Sequence, residues 1–407
     1  MKRLSKILCF MLVFVVAMAT FCAVSFAQDF SNWEQRANMG EAAAGFGSIC
    51  IDDKIYVFGG YNSSEEIISK LQVYDSDSDT WTEKTSMPTP RRNACIAQVN
   101  GIIYAIGGSV DIYSKVTNVN EAYDPVSDTW QTKKSMPVSL GQCATAVYDN
   151  KIYVFGGYKD NGSENTVFVY DTLTDTWTTK SSMPTPRKCA TAVVANNLIY
   201  VMGGWNGATT YNTVEAYDPL TDKWSTVASM TEAKLYVASL NIDGNIYIFG
   251  GVIKNSYSAT NKIEKYNYES NTWSTVGTLP ENVGGAGVAL IKNSIYIFGG
   301  RDSFNNVLNS MYTNNNPVPP TDPEDPPVVT GNKAILEIVM TNGTIKEYDL
   351  TAQEIENFLT WYDNRSAGTD KAYISIIKRS NVKPFVSRNE YLQFKEIYSF
   401  EVKEYTE

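Results

Sequence analysis

The chemistry open to this chain is limited by the absence of one residue type. None of its 407 residues is a histidine, and the sequence contains no Cys-x-x-Cys. Catalysis by Ser-His-Asp or Cys-His groups is therefore excluded, and a zinc site built from the usual ligands is not expected. We predict no metal and no cofactor. A reaction would have to use carboxylates, Lys, Arg or Tyr.

Charged residues of these types recur at a fixed place after a series of tryptophans. Arg91, Arg187 and Lys234 each lie four residues past the Met that follows a Trp, and Glu232 lies two residues before Lys234. Proton transfer requires an acid or base within hydrogen-bond reach of the reacting group. Glu232 with Arg187 or Lys234 is the best acid-base pair that the sequence offers.

The elements that position these residues follow from a repeat of nearly 50 residues. The eight letters "KIYVFGGY" occur at 54–61 and again at 151–158. Six Gly-Gly pairs and six tryptophans recur with the same steps of 48, 49, 47, 47 and 49 residues. A Tyr-Asp-like pair precedes five of the tryptophans, as in "AYDPVSDTW". Such a period indicates a repeat architecture. The tryptophans are Trp33, Trp81, Trp130, Trp177, Trp224 and Trp273.

Each repeat predicts four short antiparallel strands. Segments such as "NIYIFGG" are β-branched and aromatic, and they are bounded by Asn, Asp and Gly, which favour turns. Nothing within the repeats has the length or period of a helix. Four strands in a unit of this length match a propeller blade. The Gly-Gly, Tyr-Asp and Trp positions of residues 32–313 resemble those of the kelch repeat family.

The order of the markers predicts how the ring closes. The first Trp precedes every Gly-Gly, whereas the last Gly-Gly has no Trp after it within the repeats. We therefore expect residues 31–37 to supply the outer strand of the blade begun at residues 283–313. The predicted fold is an all-β, six-bladed kelch-type propeller over residues 28–313, followed by a small α+β domain. This closure covers the sheet edge that the last blade would otherwise leave open.

The resemblance also implies where a ligand would bind. We label the strands of a blade a to d from the centre outward, so that the d–a and b–c connections share one face. In kelch proteins that bind peptides, arginines of the d–a connection often contact the ligand. The resemblance therefore implies ligand contact for Arg91 and Arg187. It implies the same role for Lys234, which lacks the bidentate fork of arginine. The alternative is that these side chains support loops or are solvated.

The b–c connections follow each Gly-Gly and are long and variable. Binding residues are often found on such loops. Aromatic residues mixed with Asn, Ser and Arg suit either a sugar or a peptide. Loop packing is the alternative explanation for the aromatic residues. The candidate ligand-binding residues here are Tyr61, Tyr158, Trp205, Tyr257 and Arg301.

Residues 1–27 predict a secretory signal peptide. They have a basic start, an apolar run and small residues Ser25 and Ala27 before the expected cleavage site. A retained membrane anchor is the alternative, because the apolar run is about long enough to span. Cleavage removes three basic residues and no acids, which changes the formal charge from -10 to -13. We expect a secreted or cell-surface protein with no nucleic-acid partner and no membrane span after cleavage.

Four cysteines remain after cleavage, and they permit three pairings. Each lies on the innermost strand of a different blade, where a small apolar residue is suitable. Buried free thiols are therefore expected more than disulfides. The four are Cys50, Cys95, Cys143 and Cys189.

The segment "DSDSDTW" at residues 75–81 looks like half of a calcium loop. An EF-hand loop needs Gly at its sixth position and Glu at its twelfth. Thr80 and Ser86 occupy those positions. We interpret the segment as an acidic turn between two outer strands.

A second domain follows a linker at residues 314–331 that contains six prolines. Such a run favours an extended spacer. Residues 332–407 predict a hairpin turning at Asn342-Gly343, a helix starting near Thr351 and two further strands. This tail resembles small C-terminal modules behind proline-rich linkers in secreted bacterial proteins.

Two classes of function follow from the sequence. The first is a binding protein whose b–c and d–a face recognises a glycan, a cell-surface polymer or a peptide. The second is a metal-independent carbohydrate-active enzyme resembling the kelch-type sialic acid mutarotases. Binding is favoured because a repeat scaffold does not imply a reaction.

Overall fold

The computed structural model describes residues 30–314 apart from 114, 160–161, 243, 254–257 and 293. Beyond them it describes residues 333–340, 345–351, 354–355, 358–359, 361–362, 373–378, 388–393 and 397–405. The chain forms two compact units, Met1–Val318 and Pro319–Glu407. The predicted signal peptide and nearly all of the predicted linker lie outside the described residues. Over the residues that are described, no helix has the length and apolar character needed to cross a membrane.

The first unit consists of six antiparallel blades whose innermost strands contact one another in a ring. Strand β1 (Trp33–Gln35) precedes the first complete blade. Blades 1 to 3 contain β2 (Gly47–Ile51), β3 (Lys54–Phe58), β4 (Leu71–Asp75), β5 (Thr80–Lys84), β6 (Cys95–Val99), β7 (Ile102–Ile106), β8 (Asn120–Asp124), β9 (Thr129–Lys133), β10 (Ala144–Tyr148), β11 (Lys151–Lys159), β12 (Gly162–Asp171) and β13 (Thr176–Lys180). Blades 4 to 6 contain β14 (Thr191–Ala195), β15 (Leu198–Met202), β16 (Val214–Asp218), β17 (Lys223–Val227), β18 (Ala238–Ile242), β19 (Asn245–Phe249), β20 (Val252–Ile253), β21 (Ser258–Asn267), β22 (Thr272–Val283), β23 (Gly287–Ile291), β24 (Ser294–Phe298) and β25 (Met311–Asn314).

The sixth blade is shared between the two ends of the propeller. Strand β1 pairs antiparallel with β25, with Trp33 opposite Asn314 and Gln35 opposite Tyr312. The side-chain amide of Asn314 also donates a hydrogen bond to the carbonyl of Asn32 at 3.1 Å. The predicted closure by an N-terminal outer strand is confirmed, as is the six-bladed all-β fold.

The blades are joined by a hydrogen-bond arrangement that repeats around the ring. At the junction between blades 2 and 3, the indole Nε1 of Trp177 donates to the carbonyl of Lys134 at 2.8 Å. The amide of the same Lys134 donates to Asp175 Oδ1 at 2.8 Å, and that oxygen also accepts from Tyr170 Oη at 2.6 Å. Both backbone polar groups of one residue are therefore held by the next blade.

Equivalent junctions occur at four other blade boundaries. The residues whose amide and carbonyl are both held are Ala37, Thr85, Lys134, Ser181 and Ala228. The acceptors in the turns are Asp79, Asp128, Asp175, Asp222 and Asn271, each with a left-handed backbone that Asp and Asn tolerate better than most residues. The remaining boundary uses Trp33, whose indole donates to the carbonyl of Thr278 at 3.0 Å. The acidic turns are thus structural, as the sequence indicated for residues 75–81.

Apolar and aromatic side chains fill the space between neighbouring blades. Phe155 of blade 3 contacts Tyr217 of blade 4 with ring centroids 6.1 Å apart, and Trp224 lies 5.9 Å from Phe155. The glycine pairs permit this close packing. Gly156 has a φ of 58°, and a Cβ there would lie 2.5 Å from the carbonyl oxygen of Arg187. A side chain at this position would force two blades apart.

The second unit contains two small sheets and helical residues. Strand β26 (Lys333–Met340) pairs with β27 (Ile345–Thr351) and with β30 (Ile397–Tyr405), and β28 (Tyr373–Lys378) pairs with β29 (Arg388–Gln393). Residues 354–355, 358–359 and 361–362 are helical. Ile355 and Phe358 are buried, and these helical residues agree with the helix predicted to start near Thr351. The Asn342-Gly343 turn lies outside the described residues.

We expect the junction aspartates to stabilise the ring, and Asp175 provides the test. Asp175→Ala leaves the phenol of buried Tyr170 and the amide of Lys134 without their acceptor, so the free energy of unfolding should fall by about 1–2 kcal/mol. Asp175→Asn is the matched control, because Asn271 fills the same role in blade 5. Urea unfolding at pH 7 measures both changes, and an equal loss in the two variants would contradict this role.

The same residue predicts a dependence of stability on pH. The hydrogen bond from Tyr170 holds the pKa of Asp175 below its ordinary value. A carboxyl with a lowered pKa in the folded state stabilises the protein above its unfolded pKa of about 4, and this contribution is lost as the pH falls further. Asp175→Asn should therefore lose less stability than the parent protein between pH 5 and about pH 3.

Candidate ligand-binding site

The three basic residues predicted to contact a ligand are buried inside the blades. Arg91, Arg187 and Lys234 are 1%, 1% and 0% exposed. Each forms an ion pair within its own blade. Arg91 Nη2 lies 2.8 Å from Glu121 Oε2, Arg187 Nη2 lies 3.0 Å from Glu215 Oε2, and Lys234 pairs with Glu264. These side chains do not face a ligand, which corrects the prediction made from their position in the repeat.

Hydrogen bonds to backbone carbonyls explain why the side chains of the two arginines point into the blades. Arg91 also donates to the carbonyls of Ala105 and Val119, at 2.9 and 3.1 Å. Arg187 donates to the carbonyls of Gly203 and Thr213, at 2.9 and 3.1 Å. Burial lowers the pKa of both guanidinium groups, and the neighbouring glutamates oppose that shift. The two arginines therefore satisfy backbone carbonyls inside blades 2 and 4.

The predicted acid-base pair is not assembled. Glu232 forms an ion pair with Lys262, at 2.6 Å, rather than with Arg187 or Lys234. Glu232 also does not line the central cavity described next. The residues proposed for catalysis from the sequence thus occupy separate environments.

A cavity of about 230 Å³ lies at the centre of the face that carries the d–a and b–c connections. One residue from each d–a connection surrounds its entrance, always at the same position of the repeat. We call these six residues the mouth ring. They are Gly45, Asn93, Gln142, Cys189, Tyr236 and Gly285.

The mouth ring is held by backbone hydrogen bonds from blade to blade. The amide of Gln142 donates to the carbonyl of Asn93 at 3.1 Å, and the amide of Cys189 donates to that of Gln142 at 2.9 Å. Three further bonds of this kind join Gly45 to Asn93, Cys189 to Tyr236 and Tyr236 to Gly285, at 2.6 to 2.9 Å. The bonds place six backbones side by side around the channel.

This geometry requires a left-handed backbone at every mouth-ring position. The φ values lie between 52° and 65°. Glycine adopts this conformation readily, whereas other residues there cost about 1–3 kcal/mol each. Four of the six positions nevertheless carry side chains, namely Asn93, Gln142, Cys189 and Tyr236. Strain of this kind at a cavity entrance points to a use for those side chains.

Two arginines lie beside the mouth ring and face one tyrosine. The guanidinium carbon of Arg92 is 5.4 Å from the ring centroid of Tyr61, and that of Arg301 is 5.8 Å from it. Both distances suit a cation–π contact. Arg92 Nη2 also donates to the carbonyl of Ile112 at 2.7 Å. In the described part of the propeller, neither arginine forms an ion pair, and no Asp or Glu lines the cavity.

A second cluster of a cation and aromatic rings lies on blades 3 and 4. Lys188 Nζ is 4.1 Å from the ring centroid of Tyr158 and 4.7 Å from that of Trp205. None of the three lines the central cavity. Of the predicted site residues, the structure therefore brings Tyr61 and Arg301 together at the cavity and keeps Tyr158 and Trp205 in this separate cluster. Tyr257 lies outside the described residues.

The thiol of Cys189 and the phenols of Tyr236 and Tyr61 in the cavity have raised pKa values. Burial raises the pKa of the Cys189 thiol to about 11. Burial also raises the pKa of Tyr236 well above its ordinary value, and it raises that of Tyr61. A general base works best with a pKa near the operating pH. The pKa values of this thiol and these two phenols are therefore not tuned for a general base at neutral pH.

Sequence reasoning missed Arg92 and the four side chains of the mouth ring. The signal was present in the d–a connections, because Arg92 and Asn93 follow Arg91 directly. Two residues past Arg91 and its equivalents, the d–a connections have Gly45, Asn93 and Gly285 at the same position of the repeat. Gly and Asn at a recurring position indicate a left-handed backbone. The buried Arg91 and the half-buried Arg92 are adjacent in sequence, so residue type alone could not separate them.

The thiols and acidic groups give no sign of a metal site. Within the described ranges, no group of three or more Cys, Asp or Glu side chains is placed to hold an ion. The four cysteines that the structure describes are free thiols, with Cys95 and Cys189 buried and Cys50 and Cys143 half-buried. Cys50 and Cys95 lie on innermost strands as predicted, whereas Cys143 and Cys189 lie just before them.

Comparison with known proteins assigns the family. A family model described as the Attractin/LZTR1 β-propeller matches residues 20–237, slightly more than half of the chain. The chain belongs to this family. A second model, described as the Kelch motif, matches residues 233–280. The kelch resemblance predicted from the Gly-Gly and Trp ladder is thereby confirmed.

Relatives of this propeller family match short stretches of the chain. Beta-scruin of Limulus polyphemus is 34% identical over 90 residues, which is 22% of this chain and 10% of that protein. Alpha-scruin of the same organism is 41% identical over 76 residues, 19% of this chain and 8% of that protein. Human Kelch-like protein 23 is 38% identical over 64 residues, 16% of this chain and 12% of that protein. The chain thus spans at most 12% of the length of these relatives.

A solved structure described as "Structure of YjhT" is similar to the propeller. Its TM-score is 0.59 at 18% sequence identity, and the match covers 68% of this chain and 96% of that one. At this identity the likeness supports the fold alone.

The burial of Arg187 predicts a stability effect that a surface residue would not have. Arg187→Leu leaves Glu215 buried without its cation, so the free energy of unfolding should fall by about 3–5 kcal/mol. Blade 3 supplies the control, because Leu140 and Phe168 occupy the equivalent positions there and are both buried. The double variant Arg187→Leu/Glu215→Phe should recover most of the loss in urea unfolding. If the free energy of unfolding of Arg187→Leu lies within about 0.5 kcal/mol of that of the parent protein, Arg187 is a surface residue after all.

Proposed function

We propose that this protein is a binding protein whose central cavity recognises a ligand that bears an anionic group. A kelch-type propeller is an interaction scaffold, and its function resides in the site that its loops form. The cavity occupies the centre of the loop face, where six blades each contribute a residue. The ligand is a carbohydrate or a peptide, which are the two classes that the sequence favoured.

The observation that carries this proposal is the pair of guanidinium groups over the ring of Tyr61. Elsewhere in the propeller, the buried cations Arg91, Arg187 and Lys234 each have a carboxylate partner. Arg92 and Arg301 have none among the described residues, although the formal charge of the chain is -10. Two half-buried guanidinium groups at a concave site without an acid suit a carboxylate or another anion supplied by the ligand.

The aromatic cluster of Tyr158, Lys188 and Trp205 extends the proposed recognition surface across the loop face. Large ligands gain much of their affinity from aromatic and basic residues around a central pocket. A polymer that places one anionic group in the cavity therefore has a second contact area for its neighbouring units. We propose no metal and no cofactor for this role.

An epimerase or mutarotase activity has less support. Proton transfer at a sugar carbon needs an acid and a base that face the same cavity. Glu232 is paired with Lys262 away from the cavity, and the cavity tyrosines and Cys189 have raised pKa values. The binding function requires no such pair, and we therefore prefer it.

Secretion is the second part of the proposal, and it rests on residues 1–27. Their basic start, apolar run and small residues before position 28 suit export and cleavage. Protein recovered from the medium of cells that express the full chain should begin at Gln28 on N-terminal sequencing. Recovery in the membrane fraction with Met1 intact would favour the retained anchor instead.

The cavity arginines predict the binding test. Purified full-length protein is screened on glycan, cell-wall polymer and peptide arrays, and each anionic hit is titrated by calorimetry. Arg92→Gln/Arg301→Gln should weaken binding by about 10- to 100-fold, because each charge-assisted hydrogen bond contributes roughly 1.5–3 kcal/mol. The melting temperature should change little.

A control of equal charge separates local contact from the field of the whole protein. Lys84→Gln/Lys223→Gln removes two exposed positive charges from the outer strands β5 and β17. Its affinity for the same hit should stay within about 2-fold of the parent protein, since exposed charges are screened at physiological salt. Equal loss in both double variants, or no loss in either, would place recognition away from the cavity.

A further inference from the structure

The floor of the cavity differs in chemistry from its mouth. The residue after each mouth-ring residue also lines the cavity, and in each blade it leads into the innermost strand. We call these six residues the floor ring. They are Phe46, Ala94, Cys143, Ala190, Val237 and Ala286. None of their side chains contains oxygen or nitrogen.

The one polar atom type in the floor ring is the sulfur of Cys143, and it is a poor partner for a ligand. The pKa of this thiol is raised by its hydrogen bond with Cys95 and by burial, so it stays neutral. A thiol is also a weak hydrogen-bond donor and acceptor. The floor therefore offers a ligand contact area and few hydrogen bonds.

The channel beyond the floor continues this apolar character. A further space there is lined mainly by aliphatic residues of the innermost strands, including Ile49, Ile96, Val147 and Val194. Polar groups on the ligand would find more partners at the mouth, from Arg92, Arg301 and the side-chain amides of Asn93 and Gln142, than deeper, where Gln98 and Thr145 are the polar side chains of the lining. Polarity thus falls along the axis of the cavity.

The volume of the cavity limits how much of a ligand can enter. About 230 Å³ is available. One residue-sized group fits this space, whereas a disaccharide would have to remain largely outside it.

We infer that the cavity takes a carboxylate carried on a compact apolar group, such as the C-terminal residue of a peptide that ends in an aliphatic side chain. The inference deepens the proposed function and rests on it. The carboxylate lies at the mouth against Arg92 and Arg301, and the apolar group lies on the floor ring. A sugar acid fits less well, because a pyranose ring carries hydroxyls on most of its carbons and buried hydroxyls without partners weaken binding.

The two sources of this chemistry, a peptide C-terminus and a free organic acid, are separated by the choice of probes. Full-length protein is titrated by calorimetry with acetyl-Gly-Gly-Leu, its C-terminal amide, acetyl-leucine and N-acetylneuraminic acid. Acetyl-Gly-Gly-Leu should bind at least 10-fold more tightly than its amide and than N-acetylneuraminic acid. If acetyl-leucine binds as tightly as acetyl-Gly-Gly-Leu, a free organic acid is sufficient as the ligand. If acetyl-leucine binds more weakly, the ligand is a peptide C-terminus. Either result supports the inference.

Variants of the two rings connect the affinity to the cavity. Arg92→Gln/Arg301→Gln should remove most of the preference for acetyl-Gly-Gly-Leu over its amide. Val237→Thr keeps the shape of the floor and adds a hydroxyl, so it should weaken acetyl-Gly-Gly-Leu by several-fold without a similar effect on N-acetylneuraminic acid. Lys84→Gln/Lys223→Gln should leave all affinities unchanged.

The inference and the proposed function fail in different ways. Equal affinity for the acid and the amide, tighter binding of N-acetylneuraminic acid, or no binding of the leucine probes at millimolar concentration would overturn the inference. If N-acetylneuraminic acid binds and its binding depends on Arg92 and Arg301, the proposed function stands without the further inference. If an anionic hit from the arrays is insensitive to both arginines, the proposed function itself is wrong.

Discussion

The propeller depends on the capture of one residue per blade by the next blade. An indole N–H donates a hydrogen bond to the carbonyl of that residue, and a carboxylate or amide oxygen in a turn accepts one from its backbone N–H. Trp177 and Asp175 do this at Lys134. A buried backbone group without a partner is costly, so supplying both partners at once fixes the distance and the angle between blades. The repeat then propagates this angle around the ring.

A second circle of hydrogen bonds, at the mouth ring, fixes the inner radius. The outer and inner circles together leave little freedom for a blade to tilt, so the loops at the centre are held by a rigid frame. Precise sites are built more readily on rigid elements than on independent loops. The left-handed backbone of Gln142, Cys189 and Tyr236 is sustained by this frame, since an isolated loop would relax away from that strain.

The sequence predicted the fold well because the constraints that define it are local and periodic. Gly156 is required by a backbone contact and Trp177 by a junction bond, and both recur at a fixed spacing. The site was predicted less well, because a side chain's direction depends on the twist of the connection that carries it. Arg91 turns into the blade to meet Glu121, while its neighbour Arg92 turns toward the cavity. Tyr61 and Arg301, which the sequence singled out, line the cavity because the residue after Gly-Gly emerges on the loop face.

The blade built from both ends of the propeller has a consequence for how the chain folds. Strand β1 has no sheet to join until β25, some 280 residues later, has been made. Five blades can pair their strands from neighbouring segments as they emerge, but the seam must close a loop that spans the whole ring, which is entropically the most demanding contact. We therefore expect the pairing of β1 with β25 to form last. Until residue 314 is available, the sixth blade lacks the pairing of its outer strand β1 with β25.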